Sequence, residues 1–359
     1  MTPTLTQRPD LSSSIEVRVV DPLTDPDWDQ LVLSHPGFNF FHRTAWAKVL
    51  HRTYGHKPLY LHSYRGSESL GLLPIMEVVS PITGRRGVSL PFSDFCEPLP
   101  SDGSQQEPLL SKLVELALER KWRYFQLRGG RASLPASALA AEKFYGHKLN
   151  LTSGTEQLFA RFQGSVGRAI RKAEKSGLTV EVTKSWEAMR DFYRLHASTR
   201  RRHGLPPQPF SFFRNIQKEI IDCDLGFIVL AKHNGISIAA AVFFHSGEEA
   251  LFKFGASDKK TQELRGNNLV MWGGIKQLIS YGLKTLHFGR TEVNNQGLRR
   301  FKLSWGTQEE VIEYFRFALN PQKWLNSGRN AFEFHNQLFR CLPLAANRLA
   351  GALIYPHLD

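Results

Sequence analysis

Residues 59–79, LYLHSYRGSESLGLLPIMEVV, hold two β-rich runs joined by a glycine-containing turn, the pattern of a hairpin. Residues 226–245, GFIVLAKHNGISIAAAVFFH, repeat that plan around Asn234-Gly235, a two-residue hairpin signal. A third strand is predicted at 250–257. Further along each half the hydrophobic period lengthens. Leu109, Leu113, Leu116 and Leu118 fall at helical spacing ahead of a short strand at 124–127. Leu269, Trp272, Ile275 and Ile279 do the same ahead of a strand at 285–288. Twofold recurrence of antiparallel strands, helix and strand predicts a duplicated α+β unit. The expected division is a polar, unstructured tail at 1–14, one unit at 15–154, a second at 155–317, and a helical extension at 318–359 interrupted by Pro343.

Between the halves, residues 164–182 read as a helix striped on one face by Arg168, Arg171, Lys172 and Lys175, with Gly177 as its stop. Such a stripe is either a solvated face or a polyanion-binding one. The next helix is expected to end at Gly204, and Arg200, Arg201 and Arg202 in its last turn complement the helix dipole.

Composition sharpens this picture. With 359 residues, 42% of them apolar and 11% aromatic, the chain can build a large core and is no disordered protein. The net charge of +13 is uneven: residues 1–150 carry 17 basic against 15 acidic side chains, residues 151–359 carry 29 against 18. The second half therefore holds the field that would attract phosphates, nucleic acid or an anionic membrane. Cys96, Cys223 and Cys341 are odd in number and far apart, which excludes a disulfide framework and suits a reducing, cytoplasmic setting. No secretory h-region and no apolar run of ~20 residues is present. The C-terminal stretch LPLAANRLAGALIY is expected to pack on the body, with peripheral membrane contact as the second reading.

The chemistry is narrowed by elimination. Walker A, GxGxxG, HExxH and GxSxG motifs are missing, and the 13 histidines show no ligand spacing, so no metal is expected. What remains is direct transfer, in which positioning and oxyanion stabilisation carry the catalysis.

Several segments resemble one family. They are FFHRTAWAKVLHRTYGHKP (40–58), VSLPFSDFCEPL (88–99), RAIRKAEKSGL (168–178), KFGASD with LRGNNLVMW (253–272), and FGRTEVNNQGLRRFKLSWG (288–306). Together they resemble the Fem-type transferases of the GNAT superfamily, closest to the BioF2-like acetyltransferase branch. The resemblance implies two tandem GNAT-like domains with mixed, mainly antiparallel sheets and flanking helices. It further implies transfer of an acyl or aminoacyl group to an amine of a cell-envelope precursor, in peptidoglycan or exopolysaccharide synthesis. No cofactor is held; acyl-CoA or aminoacyl-tRNA serves as co-substrate. An acetyl-CoA enzyme acting on a small amine is the alternative. A non-catalytic RNA-binding or membrane-surface assembly protein is the rival of another class.

Candidate site residues follow. Arg265, Gly266, Asn267 and Asn268 open a helix whose N-terminus favours the phosphate of a donor, unless Asn268 is simply its N-cap. Arg168, Arg171 and Lys172 would bind a polyanion such as tRNA. Lys253, between Phe252 and Phe254 in a strand, is expected to face a cleft from the side opposite both rings. Arg290, Arg299 and Lys302 would hold a phosphate-bearing acceptor. Glu292 and Asp94 are the candidate bases.

Overall fold

The computed structural model describes residues 14–99, 106–326 and 336–359. The expected tail at 1–14 lies outside these residues except for Ser14. Both hairpins form as the alternation dictates. Tyr60–Arg65 pairs Glu68–Leu73 in a three-stranded sheet completed by Glu16–Val20, and Gly226–His233 pairs Ile236–Ser246. The helices predicted from 3.6-residue spacing are Gln106–Glu119, Gly164–Lys175, Trp186–Arg202 and Gly266–Ser280. Gly177 takes φ +74° just beyond the second of these, the left-handed stop expected there.

The two halves do not form separate sheets. One 13-stranded sheet runs through the molecule. Its first half contributes Met76–Ser80, Gly84–Val88 and Tyr124–Arg128; its second contributes Thr179–Thr183, Gly226–His233, Ile236–Ser246, Glu249–Ser257 and Thr285–His287. Each half has one parallel pair beside antiparallel ones: Gly84–Val88 with Tyr124–Arg128, and Glu249–Ser257 with Thr285–His287. Helix Gln106–Glu119 precedes the second strand of the first pair, and helix Gly266–Ser280 that of the second. The internal duplication is thus visible in the topology.

The next strand of each half crosses over. Glu142–Asn150 lies against Thr285–His287 of the second half, and Gln308–Leu319 lies against Tyr124–Arg128 of the first. These two strands also pair with each other, from Gln308↔Lys148 to Tyr314↔Glu142, and weld the halves together. Residues 15–154 and 155–317 therefore exchange a strand. The stretch from 318 onward begins as sheet, not helix: Gln322–Leu325 returns antiparallel on Gln308–Leu319, and helices start at Asn336–Cys341 and Leu344–Ile354.

The largest buried cluster crosses the same divide. Trp28, Phe41 and Trp46 of the first half pack with Phe192, Phe212, Phe213 and Phe244 of the second. On the opposite sheet face, helix Gly266–Ser280 presses Gly273 and Gly274 so closely on Val180 and Phe243 that a Cβ at either would clash. Among the described residues no helix is long and apolar enough to cross a membrane.

Candidate active site

The first part of the site is a turn. Asp258 Oδ1 accepts from Lys260 N at 2.9 Å, and the chain then reverses at Arg265, which takes the left-handed φ of +63°. Helix Gly266–Ser280 starts there with Arg265 at its N-cap, and the N–H groups of Asn268 and Leu269 donate to the Arg265 carbonyl. Asn268 is therefore inside the helix and is not its cap. Gly266 lets the helix start close to the sheet, since a Cβ there would sit 3.0 Å from that of Ala239. The N-terminal turn lines a cavity of about 160 Å³ formed with Ser257, Asp258, Gln262 and Phe301. A second hollow of about 420 Å³ adjoins it through Arg265, Asn268 and Phe301, and here Arg168 and Lys172 of helix Gly164–Lys175 join the lining. Arg171 does not; its guanidinium stands over the Phe159 ring at 5.5 Å.

The second part is a break in a strand. Val242 pairs with Phe254 and Phe243 with Phe252, so Lys253 has no residue opposite it and forms a β-bulge. The expected alternation fails at this point. Phe252 packs on the cluster beneath helix Gly266–Ser280 and Phe254 on the opposite one, so the two rings do not share a face. Lys253 is nonetheless turned inward: its Nζ lies over the rings of Phe41 (4.8 Å) and Trp46 (5.4 Å), donating to Phe92 O and Asp94 Oδ2 at 2.7 Å each. The loop supplying both acceptors contains Leu90 and Phe92 at φ +57° and +59°, a costly geometry for residues with side chains.

The third part is the segment from Phe288 to Gly306. Gly289 takes φ +70°, and a Cβ there would meet Asp94 Oδ1 at 3.3 Å. The turn carries Arg290 N to Asp94 Oδ1 at 3.2 Å, while the Arg290 guanidinium stacks over Phe144 (4.3 Å) and Tyr314 (5.2 Å). Helix Gln296–Leu303 returns Lys302, 3% exposed, whose Nζ donates to Gly289 O (2.8 Å) and Arg290 O (3.1 Å). Trp305 anchors the end of this helix, fully buried against Phe162 and Phe288.

Asp94, Lys253, Arg290 and Lys302 thus line one cleft of about 730 Å³, which shares Ser257, Asn267 and Phe301 with the cavity at the helix N-terminus. The three hollows are neighbours, with Phe301 lining all of them. Glu292 and Arg299 are outside it. Glu292 is exposed on the two-residue strand Thr291–Glu292. Arg299 makes a bidentate pair with Glu309 (2.7 Å twice) over the Tyr145 ring, so of the two cations Arg299 and Lys302 it is Lys302 that reaches the cleft.

Electrostatics separate the roles. Burial alone would raise the Asp94 carboxyl, but the Lys253 ammonium and Arg290 outweigh it and hold Asp94 well below the usual carboxylate range. Asp359, at the other end of the cleft, is treated likewise: burial opposes its charge and Arg86 beside it prevails. Both carboxylates are held ionised with low proton affinity, which makes either a weak general base. Lys302 is different. Burial lowers it to about 8, with only the more distant Asp94 charge opposing.

The cleft also holds groups that the sequence did not single out for chemistry. His196, lowered by burial to about 3, bonds Gln208 Oε1 at 2.8 Å. Arg200 donates from Nη2 to Tyr355 Oη at 2.8 Å, and Arg202 from Nη1 to Ser257 O at 3.1 Å. The Arg200–Arg202 run was the one available signal, and the helix dipole already accounted for it. Among the described residues no cluster of three His, Cys, Asp or Glu could hold a metal.

Two mixed α/β units are welded by exchanged strands, and a helix N-terminus and buried cations line adjoining hollows. Residues 160–303 match the model of the acetyltransferase (GNAT) domain. No curated protein sequence matches the chain. The structure of FemX superposes with a TM-score of 0.65 at 16% identity, covering 87% of this chain and 98% of that one. A tandem GNAT protein from the clavulanic acid biosynthesis pathway gives 0.54 at 10% identity over 85% and 98%. L-PGS from Bacillus licheniformis gives 0.52 at 14% over 92% and 98%. The fold is shared with FemX and with a tandem GNAT protein, and the GNAT domain match falls on the half of the chain that carries the helix N-terminus and the buried lysines.

Proposed function

We propose that this protein moves an aminoacyl or other acyl group from a phosphate-bearing carrier, aminoacyl-tRNA or a CoA thioester, to an amine of a cell-envelope precursor. The row of adjoining hollows carries this reading. It begins at Arg168, Lys172 and Arg265, passes the helix N-terminus, and ends among Lys253, Arg290 and Lys302. The carrier's phosphates would lie on the basic helix and the first turn of helix Gly266–Ser280, where positive ends and cations favour them. Its acyl carbon would then reach the cleft. The names of FemX and L-PGS, whose folds it shares, support the envelope acceptor.

In the transfer the acceptor nitrogen attacks the acyl carbonyl. A C–N bond forms and the C–O or C–S bond to the carrier breaks. Lys302 has three N–H donors and spends two on carbonyls, leaving one for the oxygen on which charge develops. The cleft carboxylates are held ionised at low pKa, so the amine proton passes to the departing oxygen or sulfur of the carrier. Asp94 fixes Lys253 and the Arg290 backbone in place.

Purified protein incubated with labelled aminoacyl-tRNA or acyl-CoA, followed by mass spectrometry of envelope precursors, tests the proposal. Label on an acceptor amine from either carrier supports it and identifies the donor; label from neither refutes it.

A further inference from the structure

Helix Leu344–Ile354 buries one face and leaves the other bare. Gly351 is pressed on the Pro207 carbonyl and Asn347 Nδ2 reaches Leu205 O at 3.4 Å, which fixes the inner side against the loop after helix Trp186–Arg202. The outer positions 345, 346, 349, 352 and 353 are all Ala or Leu and all exposed. Leu349 is 63% exposed, Leu353 64%, and Leu338 on the preceding short helix 58%. A contiguous apolar helix face in water marks a docking surface.

The charges that flank it come from a neighbouring element, which is why the helix sequence alone shows too few cations. Arg190 and Arg194 of helix Trp186–Arg202, with Arg348, line a surface groove of about 880 Å³ that also contains Phe210, Leu349 and Ala352. Arg348 stacks on Tyr193 at 5.0 Å, and its Nε is buried with no hydrogen-bond partner. Two acids share the groove, Glu187 and Asp191; Asp191 Oδ2 accepts from the Ser237 hydroxyl at 2.6 Å, and half-exposed Arg194 stands 3.8 Å from Asp191 Oδ1 while donating from Nη2 to Ser237 O at 2.8 Å.

We infer that this face docks on an anionic lipid bilayer, with Leu349 and Leu353 entering the acyl boundary and Arg190, Arg194 and Arg348 meeting lipid phosphates. A second copy of the chain is the poorer match, because a two-fold contact brings the same arginines face to face. An amphipathic helix lying in the interface needs this combination of apolar face and flanking cations. The surface is also continuous with the cleft. Tyr355, the C-cap of the helix, lines the cleft and accepts from Arg200. Docking would place the cleft mouth at the headgroup level, beside the membrane where, on the proposed function, envelope precursors are used.

Co-sedimentation of the full chain with vesicles tests the docking without substrate, so its outcome is separate from that of the transfer reaction. Binding is expected to vesicles of phosphatidylglycerol mixed with phosphatidylcholine and to be much weaker to phosphatidylcholine alone. Leu349→Asp with Leu353→Asp should weaken binding at least about tenfold, the expected effect of withholding two leucines from the acyl boundary. Arg190→Glu with Arg194→Glu should remove the preference for phosphatidylglycerol; unchanged circular dichroism shows that both pairs fold. Absence of vesicle binding, equal binding by the leucine variant, or a dimer in sedimentation velocity that this variant dissolves would overturn the proposal.

Discussion

Lys253 Nζ lies 2.7 Å from Asp94 Oδ2, tying a bulge in a second-half strand to a strained loop of the first half. The side chains are 7% and 15% exposed, so the pair is dry enough for its loss to be felt. Removing one partner strands the other in a low-dielectric site, at a cost of about 3–5 kcal/mol. Asp94→Ala and Lys253→Met should each lower stability by that order in urea unfolding. Asp94→Leu with Lys253→Met should recover much of it. Strictly additive losses would show that the two groups are not coupled. The contribution is also pH-dependent. Asp94 titrates lower in the folded than in the unfolded state, so its stabilisation is full above about pH 4 and is lost as acid protonates the folded carboxylate.

Arg290 and Lys302 reach the cleft and Arg299 does not. Arg290→Ala and Lys302→Ala should each reduce kcat/KM about tenfold or more, the ~1.4 kcal/mol of one charge-assisted contact, without unfolding the protein. Arg299→Ala should change kcat/KM little, because its charge is already spent on Glu309. A large loss in Arg299→Ala with both others active would move the acceptor site to the outer face of the helix.

Hydrophobic period was enough to find both hairpins and the helices that organise the site, because those patterns are local. The exchange of Glu142–Asn150 and Gln308–Leu319 was not legible, since a strand's alternation says which face is buried but not which neighbour it pairs with. The bulge at Lys253 escaped for a related reason: one unpaired residue shifts every face beyond it and leaves no local mark. Arg299 and Lys302 look equivalent at i, i+3. Only Glu309, on the following strand, distinguishes them by drawing Arg299 away. Glu292 failed as a base candidate because the strand that presents it turns its side chain to solvent. Asp94 lies in the cleft, and the cations that hold it ionised come from distant segments, so its low proton affinity had no local mark in the sequence.

The basic helix divides along the same geometric line. Arg168 and Lys172 line the groove with Arg265, whereas Arg171 sits on Phe159. If the donor is a polyanion, its affinity should fall steeply with salt as counterions are released. Arg168→Ala with Lys172→Ala should flatten that slope by about two phosphate contacts, and Arg171→Ala should leave it nearly unchanged. Equal slopes for all variants in tRNA binding would reduce the stripe to a solvated face.

Lys302 provides the most specific pH signature. Its neighbours within bonding distance are carbonyl oxygens, so burial has no adjacent carboxylate to offset it and the ammonium titrates at about 8. If Lys302 stabilises the developing oxyanion it must be charged, and kcat/KM should fall as pH rises through about 8. Lys302→Arg keeps a cation with no pKa in this range, so that limb should vanish even if the absolute rate drops. A lysine acting as base would give the opposite profile, with activity rising through the same pH. Stability supplies an independent check, because the folded lysine releases its proton near 8 and the unfolded one near 10.5. Between those values the unfolded chain binds more protons, so the Lys302 contribution makes wild type gain stability with rising pH relative to Lys302→Met. A flat difference across that window would place the lysine in a wetter site than the buried cleft lining.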